Sequence, residues 1–243
     1  MLVAGLGLLF LVAMLMGTLV AGVTLGTEGD DHGTPTMIAA EDIVPALFGL
    51  VVTVAAISVK RWWPWVLRDS VPTRPWVWVV PVIVAAGALV ATDWARLGGA
   101  GAVLVLWLAF GVLTIAVTEE LFFRGLVLTA LRGSFSEPFA AGWTVVIFAL
   151  AHSLGSLAFS PAQLVATASG GVVYYLTKRV SASIWPAALV HALVDFSLFS
   201  ITLGLGETEA NRAPFVLLAL VLAPLVALAG VKRIAPRASA NSG

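Results

Sequence analysis

The chain has 243 residues, of which 60% are hydrophobic and 11% are charged, and its mean hydropathy is +1.03. A soluble domain is roughly 45–50% apolar and about 25% charged, so the composition excludes a water-soluble enzyme, a disordered chain and a nucleic-acid-binding protein. The 13 basic and 13 acidic residues balance to a net charge of +0. Because the chain contains no cysteine, disulfides, thiolate metal sites and a cysteine nucleophile are excluded as well.

Predominantly apolar stretches with few or no charges, long enough to cross a bilayer, which takes about 17–25 residues, divide the chain into eight predicted spans. They cover, in chain order, residues 1–27, 43–59, 75–92, 97–131, 138–160, 161–177, 180–205 and 213–231. The fifth and sixth are separated at Pro161, because proline favours the first turn of a helix. We therefore expect an all-α, polytopic membrane protein that forms a single integral membrane domain over residues 1–243.

Lysine and arginine residues are unevenly divided between alternate loops. The loops on one side hold ten, beginning with Lys60 after the second span, whereas those on the other side hold only Arg96 and Arg212. Since cytoplasmic loops are enriched in basic residues, we expect both termini to lie in the cytoplasm. The preference for arginine over lysine, together with abundant alanine and glycine, favours a bacterial cell membrane.

A small group of ionisable side chains lies inside the predicted spans, where a charge costs at least about 2.5–3.5 kcal/mol. They are Glu119, Glu120 and Arg124 in span 4, His152 in span 5, and His191 and Asp195 in span 7. At the rise of an α-helix, all of them lie about 12–21 Å from the predicted cytoplasmic ends of their spans. This agreement in depth predicts one shared site, in a cavity within the bundle of spans 4–7.

The spacing of these residues predicts how they pair. Glu120 and Arg124 are four residues apart and face the same side of a helix, as do His191 and Asp195. Glu119 points about 100° away from Glu120, so its side chain is available for a role other than the pairing with Arg124.

The same residue types allow two kinds of chemistry. Glu119, His152, His191 and Asp195 are suitable ligands for Zn²⁺ or another divalent ion. A carboxylate or imidazole at this depth can equally act as a general base on water. Purely structural roles remain alternatives to both kinds of chemistry. The Glu–Arg pair can contribute to folding only, and an intramembrane histidine can form a hydrogen bond to a neighbouring helix without any catalytic role.

Three motifs occur in order in spans 4, 5 and 7. They read EExxxR at 119–124, FxxxH from Phe148 to His152, and HxxxN/D from His191 to Asp195. Together they resemble the CAAX-processing and bacteriocin-processing (CPBP, or Abi) intramembrane proteases, which include the Ras-converting CAAX endopeptidase. The resemblance covers about Ala100 to Phe199 and marks a catalytic core over residues 100–199.

The resemblance implies hydrolysis of a peptide bond inside a membrane cavity, with a membrane-associated protein or peptide as the substrate. It assigns activation of water to Glu119 and His152, and metal binding or oxyanion stabilisation to His191 and Asp195. Glu120 and Arg124 follow as supporting members of the catalytic set. At Asp195, members of the CAAX type often carry asparagine instead.

Two other functions remain as alternatives at this point. One is a non-enzymatic membrane partner or immunity protein that keeps the polar residues as a binding or structural site. The other is a proton-coupled transporter, which intramembrane Glu, His and Asp residues would also suit, although the sequence has no visible inverted repeat.

Overall fold

The computed structural model describes residues 2–25, 33–70, 73–155, 161–203 and 225. Over these ranges the chain is helical and forms no strand. We number the helices α1 Leu2–Leu25, α2 Pro35–Lys60, α3 Trp63–Leu67, α4 Pro75–Ala91, α5 Trp94–Ala100, α6 Ala102–Arg132, α7 Glu137–Gly155, α8 Pro161–Ser181 and α9 Ile184–Thr202. The predicted all-α class is confirmed.

Several of these helices have the length and apolar character of membrane spans. Among the described residues, α1, α2, α6 and α9 are each long and apolar enough to cross a membrane. Helices α4 and α5, which are bent by 57° relative to one another, meet this requirement together and form a fifth candidate span. These helices make the chain an integral membrane protein. The eighth predicted span lies outside the described residues, apart from Leu225.

The second helix begins earlier than the charge pattern predicts. We expected a span from residue 43, preceded by a loop holding Glu41 and Asp42, but α2 starts at Pro35. The Oγ1 of Thr34 accepts a hydrogen bond from the Met37 N–H at 3.2 Å, and proline occupies the first turn. This cap and proline favour a helix start strongly enough that the two acidic residues lie within the helix.

A glycine divides what the sequence presents as one apolar run. Gly101 has φ +84, which side-chain-bearing residues rarely adopt, and it separates α5 from α6. The fourth predicted span therefore begins at Ala102 rather than at residue 97, and α6 runs for 31 residues to Arg132.

Helix α6 lies among α1, α2, α7 and α9, and aromatic side chains fix it in place. The Phe122 ring stacks on Phe10 of α1 at 4.0 Å, while Phe123 meets Phe148 of α7 edge-on at 5.0 Å. Burial of such rings contributes most of the packing energy in a core. The α6 residues that follow Glu119 are therefore anchored on two sides.

An ion-pair network connects the C-terminal ends of α6 and α8 to the N-terminal end of α7. Arg132 donates to Asp69 at 2.9 Å and to Glu137 at 2.6 Å, and Glu137 also accepts from Tyr175 and Arg179. Burial by itself raises the pKa of Glu137, but the hydrogen bonds from Arg132 and Tyr175 outweigh it and lower the pKa of that carboxyl.

Candidate active site

The first motif lies at a local change in helix type. Residues Glu120–Val127 of α6 form a π-helix, and all eight are buried. Such segments are rare and frequently occur at functional sites. Gly125 is required here, because a Cβ at this position would lie 2.6 Å from Cγ1 of Val66 in α3. The fully buried Lys178 of α8 donates from Nζ to the Arg124 carbonyl at 2.7 Å.

Glu120 is the centre of a buried polar chain. Its Oε1 accepts a hydrogen bond from Nη1 of Arg124 at 2.9 Å and another from Nδ1 of His191 at 3.0 Å. Glu120 and Arg124 are both 0% exposed, so each requires the other in this environment. The predicted pairing of these two residues is confirmed, and His191 joins the pair from α9.

Glu119 faces both histidines of the motifs. Its Oε2 lies 3.6 Å from Nε2 of His152 and 3.8 Å from Nε2 of His191. This oxygen is buried and accepts no hydrogen bond. Asp195 lies beside them, with Oδ2 3.5 Å from Nε2 of His191, as the spacing predicts. Side chains from α6, α7 and α9 thus converge on one site.

The two histidine rings are held in the same way. Nδ1 of His152 donates to the Phe148 carbonyl at 3.0 Å, and Nδ1 of His191 donates to the Glu120 carboxylate. A hydrogen bond that fixes one ring nitrogen as the donor leaves the other free to accept or to take up a proton. Both rings therefore present Nε2 to Glu119.

The phenylalanine of the second motif has a direct role in the site. Its ring lies 4.0 Å from the Arg124 guanidinium and 4.4 Å from the His152 ring. Nε and Nη2 of Arg124 have no hydrogen-bond partner, so the aromatic face of Phe148 is a main contact of this buried cation. The sequence carried a signal for this, because Phe148 and His152 are four residues apart and share a helix face.

Sequence reasoning missed Tyr174 of α8. Its ring stacks on the His191 imidazole at 4.3 Å between centroids, with the planes 16° apart. No motif includes Tyr174. The signal that could have found it is the four-residue spacing from Gly170, which leaves room for a large side chain beside it.

A cavity of about 560 Å³ opens beside the histidines, between α6, α7, α8 and α9. Most of its lining is apolar. The polar residues that line it are His152, Gln163, Thr167, Tyr174, His191 and Asp195.

The donor atoms suit a divalent ion chemically, since imidazole and carboxylate are usual zinc ligands. As the side chains lie, however, the described part of the chain has no group of three or more His, Asp or Glu residues arranged to hold a metal ion. A metal at Glu119, His152, His191 and Asp195 therefore stays a prediction.

Comparison with known protein families gave a match. Residues 101–197 fit the family model described as Rce1-like, type II CAAX prenyl endopeptidase. No match was found among curated proteins or among solved structures. The matched segment contains all three motifs, and the resemblance stated from them is confirmed: residues 101–197 are similar to the Rce1-like family.

Proposed function

We propose that the protein is an intramembrane endopeptidase that hydrolyses a peptide bond of a membrane-associated protein or peptide. The observation that carries this proposal is the position of Glu119. Its buried Oε2 accepts no hydrogen bond and faces Nε2 of His152 and of His191 at 3.6 and 3.8 Å. The match of residues 101–197 to the Rce1-like family supports peptide hydrolysis as the reaction.

The distances suit a bound water as the nucleophile. They exceed a direct N–H···O hydrogen bond, so these atoms are not bonded to one another and can each hydrogen-bond to a water that lies beside them. Glu119 accepts a proton from this water while its oxygen forms a bond to the scissile carbonyl carbon. The electron pair of the carbonyl moves onto its oxygen. The proton then passes to the leaving nitrogen as the C–N bond breaks, and His152 holds the water in line.

His191 and Asp195 form the opposite side of the site. When it is protonated, His191 can donate from Nε2 to the oxygen on which negative charge develops, and such donors contribute strongly to catalysis. Oδ2 of Asp195 lies 3.5 Å from the same nitrogen and can accept from it. Glu120 holds the other ring nitrogen, and Arg124 holds Glu120, so both act on the reaction through His191.

The cavity of about 560 Å³ is our candidate for the substrate site. Its apolar lining suits an apolar segment next to the scissile bond, with the polar residues at the reacting end. We further infer that the chain crosses a bacterial cell membrane eight times and that the site opens toward the cytoplasm.

The experiment uses the purified protein in detergent with two fluorescence-quenched peptides, one ending in a prenylated CAAX-type sequence and one apolar and unmodified. Glu119→Gln and His152→Asn should each lower kcat by about 10²–10⁴-fold, the usual contribution of a general base. Glu41→Gln, at an exposed carboxylate on α2, serves as the matched control and should keep wild-type activity. Full activity in Glu119→Gln would overturn the proposal.

Metal analysis of the same preparations tests the predicted ligands. If Zn²⁺ or another divalent ion is bound, wild type should retain it in a fixed ratio, while His152→Ala and His191→Ala should both lose it. Equal metal content in all three proteins would contradict the predicted ligand set, whereas the role of Glu119 as a base would be unaffected.

A further inference from the structure

Helix α8 carries none of the three motifs, yet one of its side chains touches the site directly. The Tyr174 ring lies parallel to the His191 imidazole, with centroids 4.3 Å apart and planes at 16°. Tyr174 is only 3% exposed, and it lines the cavity together with His191. The contact is therefore a packed, face-to-face stack within the site.

The same ring contacts the other side of the buried polar chain. The Arg124 guanidinium lies 5.2 Å from the Tyr174 centroid, within the range of a cation–π interaction. The Phe148 ring meets Tyr174 edge-on at 6.3 Å and His191 edge-on at 5.9 Å. Tyr174 is thus held by two neighbours while it packs against His191.

The backbone of α8 is shaped to allow this placement. A Cβ on Gly170 would already be at van der Waals contact with the Tyr174 ring, at 3.4 Å, so a larger side chain there would displace the ring. A Cβ on Gly171 would lie 3.4 Å from Nη2 of Arg124. One turn beyond Tyr174, Lys178 donates to the Arg124 carbonyl. One face of α8 therefore supports both Arg124 and the ring that stacks on His191.

We propose that Tyr174 is a positioning residue for His191, and that its aromatic ring rather than its hydroxyl carries this role. The inference rests on the proposed function for its kinetic consequence, although not for its geometry. The hydrogen bond from Nδ1 of His191 to Glu120 fixes the ring at a single point and leaves it able to tilt about that bond. A parallel ring against its face removes the tilt and aims Nε2 at Glu119.

The kinetic test compares Tyr174→Phe, which keeps the ring, with Tyr174→Leu, which removes it. Misplacing a reacting group by about 1 Å can cost about 10²-fold in rate. We therefore expect Tyr174→Leu to lower kcat by about 10- to 100-fold with little change in KM, and Tyr174→Phe to keep kcat within about 2-fold of wild type. The substrate is whichever quenched peptide the wild type cleaves.

Tyr175→Leu is the matched control. It makes the same substitution at the adjacent residue, whose hydroxyl donates to Glu137 in the ion-pair network rather than toward the site. It should lower the melting temperature and leave kcat of the folded protein unchanged. Two results would overturn the proposal: an equal loss of kcat in Tyr174→Phe and Tyr174→Leu, or an equal loss in Tyr175→Leu.

A measurement that needs no activity tests the stack itself. The chain has only three histidines, so a sample with labelled histidine gives few ring signals in NMR spectra. Ring current from Tyr174 should shift the His191 ring protons upfield in wild type and in Tyr174→Phe, but not in Tyr174→Leu. An unshifted wild-type signal would refute the positioning role. An upfield shift in a protein that cleaves neither peptide would refute the proposed function alone.

Discussion

At the scale of single residues, the site is a set of buried charges that stabilise one another. Glu120 and Arg124 are wholly buried, and His191 shares the same carboxylate oxygen. Removing one member of a buried pair leaves an uncompensated charge, at a cost of about 3–5 kcal/mol. Glu120 is therefore required for folding as well as for the orientation of His191.

A partly buried carboxylate, Glu137, makes stability depend on pH. Its pKa is lowered by hydrogen bonds from Arg132 and Tyr175 despite its burial. A carboxyl whose pKa is lower in the folded state stabilises the fold above its unfolded value of 4.5, and loses this contribution as pH falls through the lowered value. As the pH is lowered past about 4.5, the melting temperature of the wild-type protein in detergent should therefore decrease.

The variants separate Glu137 from the other carboxylates. Glu137→Gln should lower the melting temperature at neutral pH and make its decline in acid shallower, because the titrating group is gone. Tyr175→Phe, which removes one of the hydrogen bonds to Glu137, should give the same change in smaller measure. A decline of unchanged slope in Glu137→Gln would show that other groups dominate.

At the scale of elements, the π-helical segment Glu120–Val127 places Glu119 and Glu120 toward two histidines from different helices. Its packing depends on Gly125, whose missing side chain admits Val66 of α3. Gly125→Ala should destabilise the protein by about 1–3 kcal/mol, as overpacking does, and should reduce activity, because the segment shifts. The measurement is thermal unfolding together with peptide cleavage.

A compensating change tests whether the contact with Val66 is the cause. Val66→Ala removes the Cγ1 atom that a new Cβ would meet, so the double variant should be more stable than the two single changes predict by addition. Gly142→Ala in α7 is the control, since nothing lies within 4 Å of its Cβ position, and it should be neutral or stabilising. Strict additivity in the double variant would rule out the contact.

The sequence predicts the paired residues of this core because helical spacing is a local property. Glu120 with Arg124, and His191 with Asp195, each follow from a separation of four residues. Contacts between helices do not follow from spacing, which explains why the stack of Tyr174 on His191 was missed. The break at Gly101 was missed for a similar reason: a single glycine in an apolar run does not reveal its φ angle.

At the scale of the whole molecule, the division of basic residues between loops predicts the orientation in the membrane. The natural absence of cysteine permits single-cysteine labelling without background. Ser70→Cys follows α3 near the basic loops, and Ala95→Cys lies in α5 next to Arg96; both positions are exposed. A membrane-impermeant thiol reagent added outside intact cells should label Ala95→Cys, and Ser70→Cys only after the membrane is opened.

Labelling of both positions from the outside would contradict this orientation. Labelling of Ser70→Cys alone would reverse it and place the site on the opposite face. The same pair of variants, once labelled, must still cleave peptide at the wild-type rate, because both positions lie away from the polar site.

The central claim is that Glu119 activates a water molecule to hydrolyse a peptide bond. Its most direct test is cleavage of the quenched peptide in water enriched with ¹⁸O, followed by mass spectrometry of the N-terminal fragment, which carries the new carboxylate. We expect one ¹⁸O atom in the new carboxylate with wild type, and no fragment above background with equally folded Glu119→Gln. Equal amounts of labelled fragment from both proteins would contradict the role of Glu119 as the base that activates water.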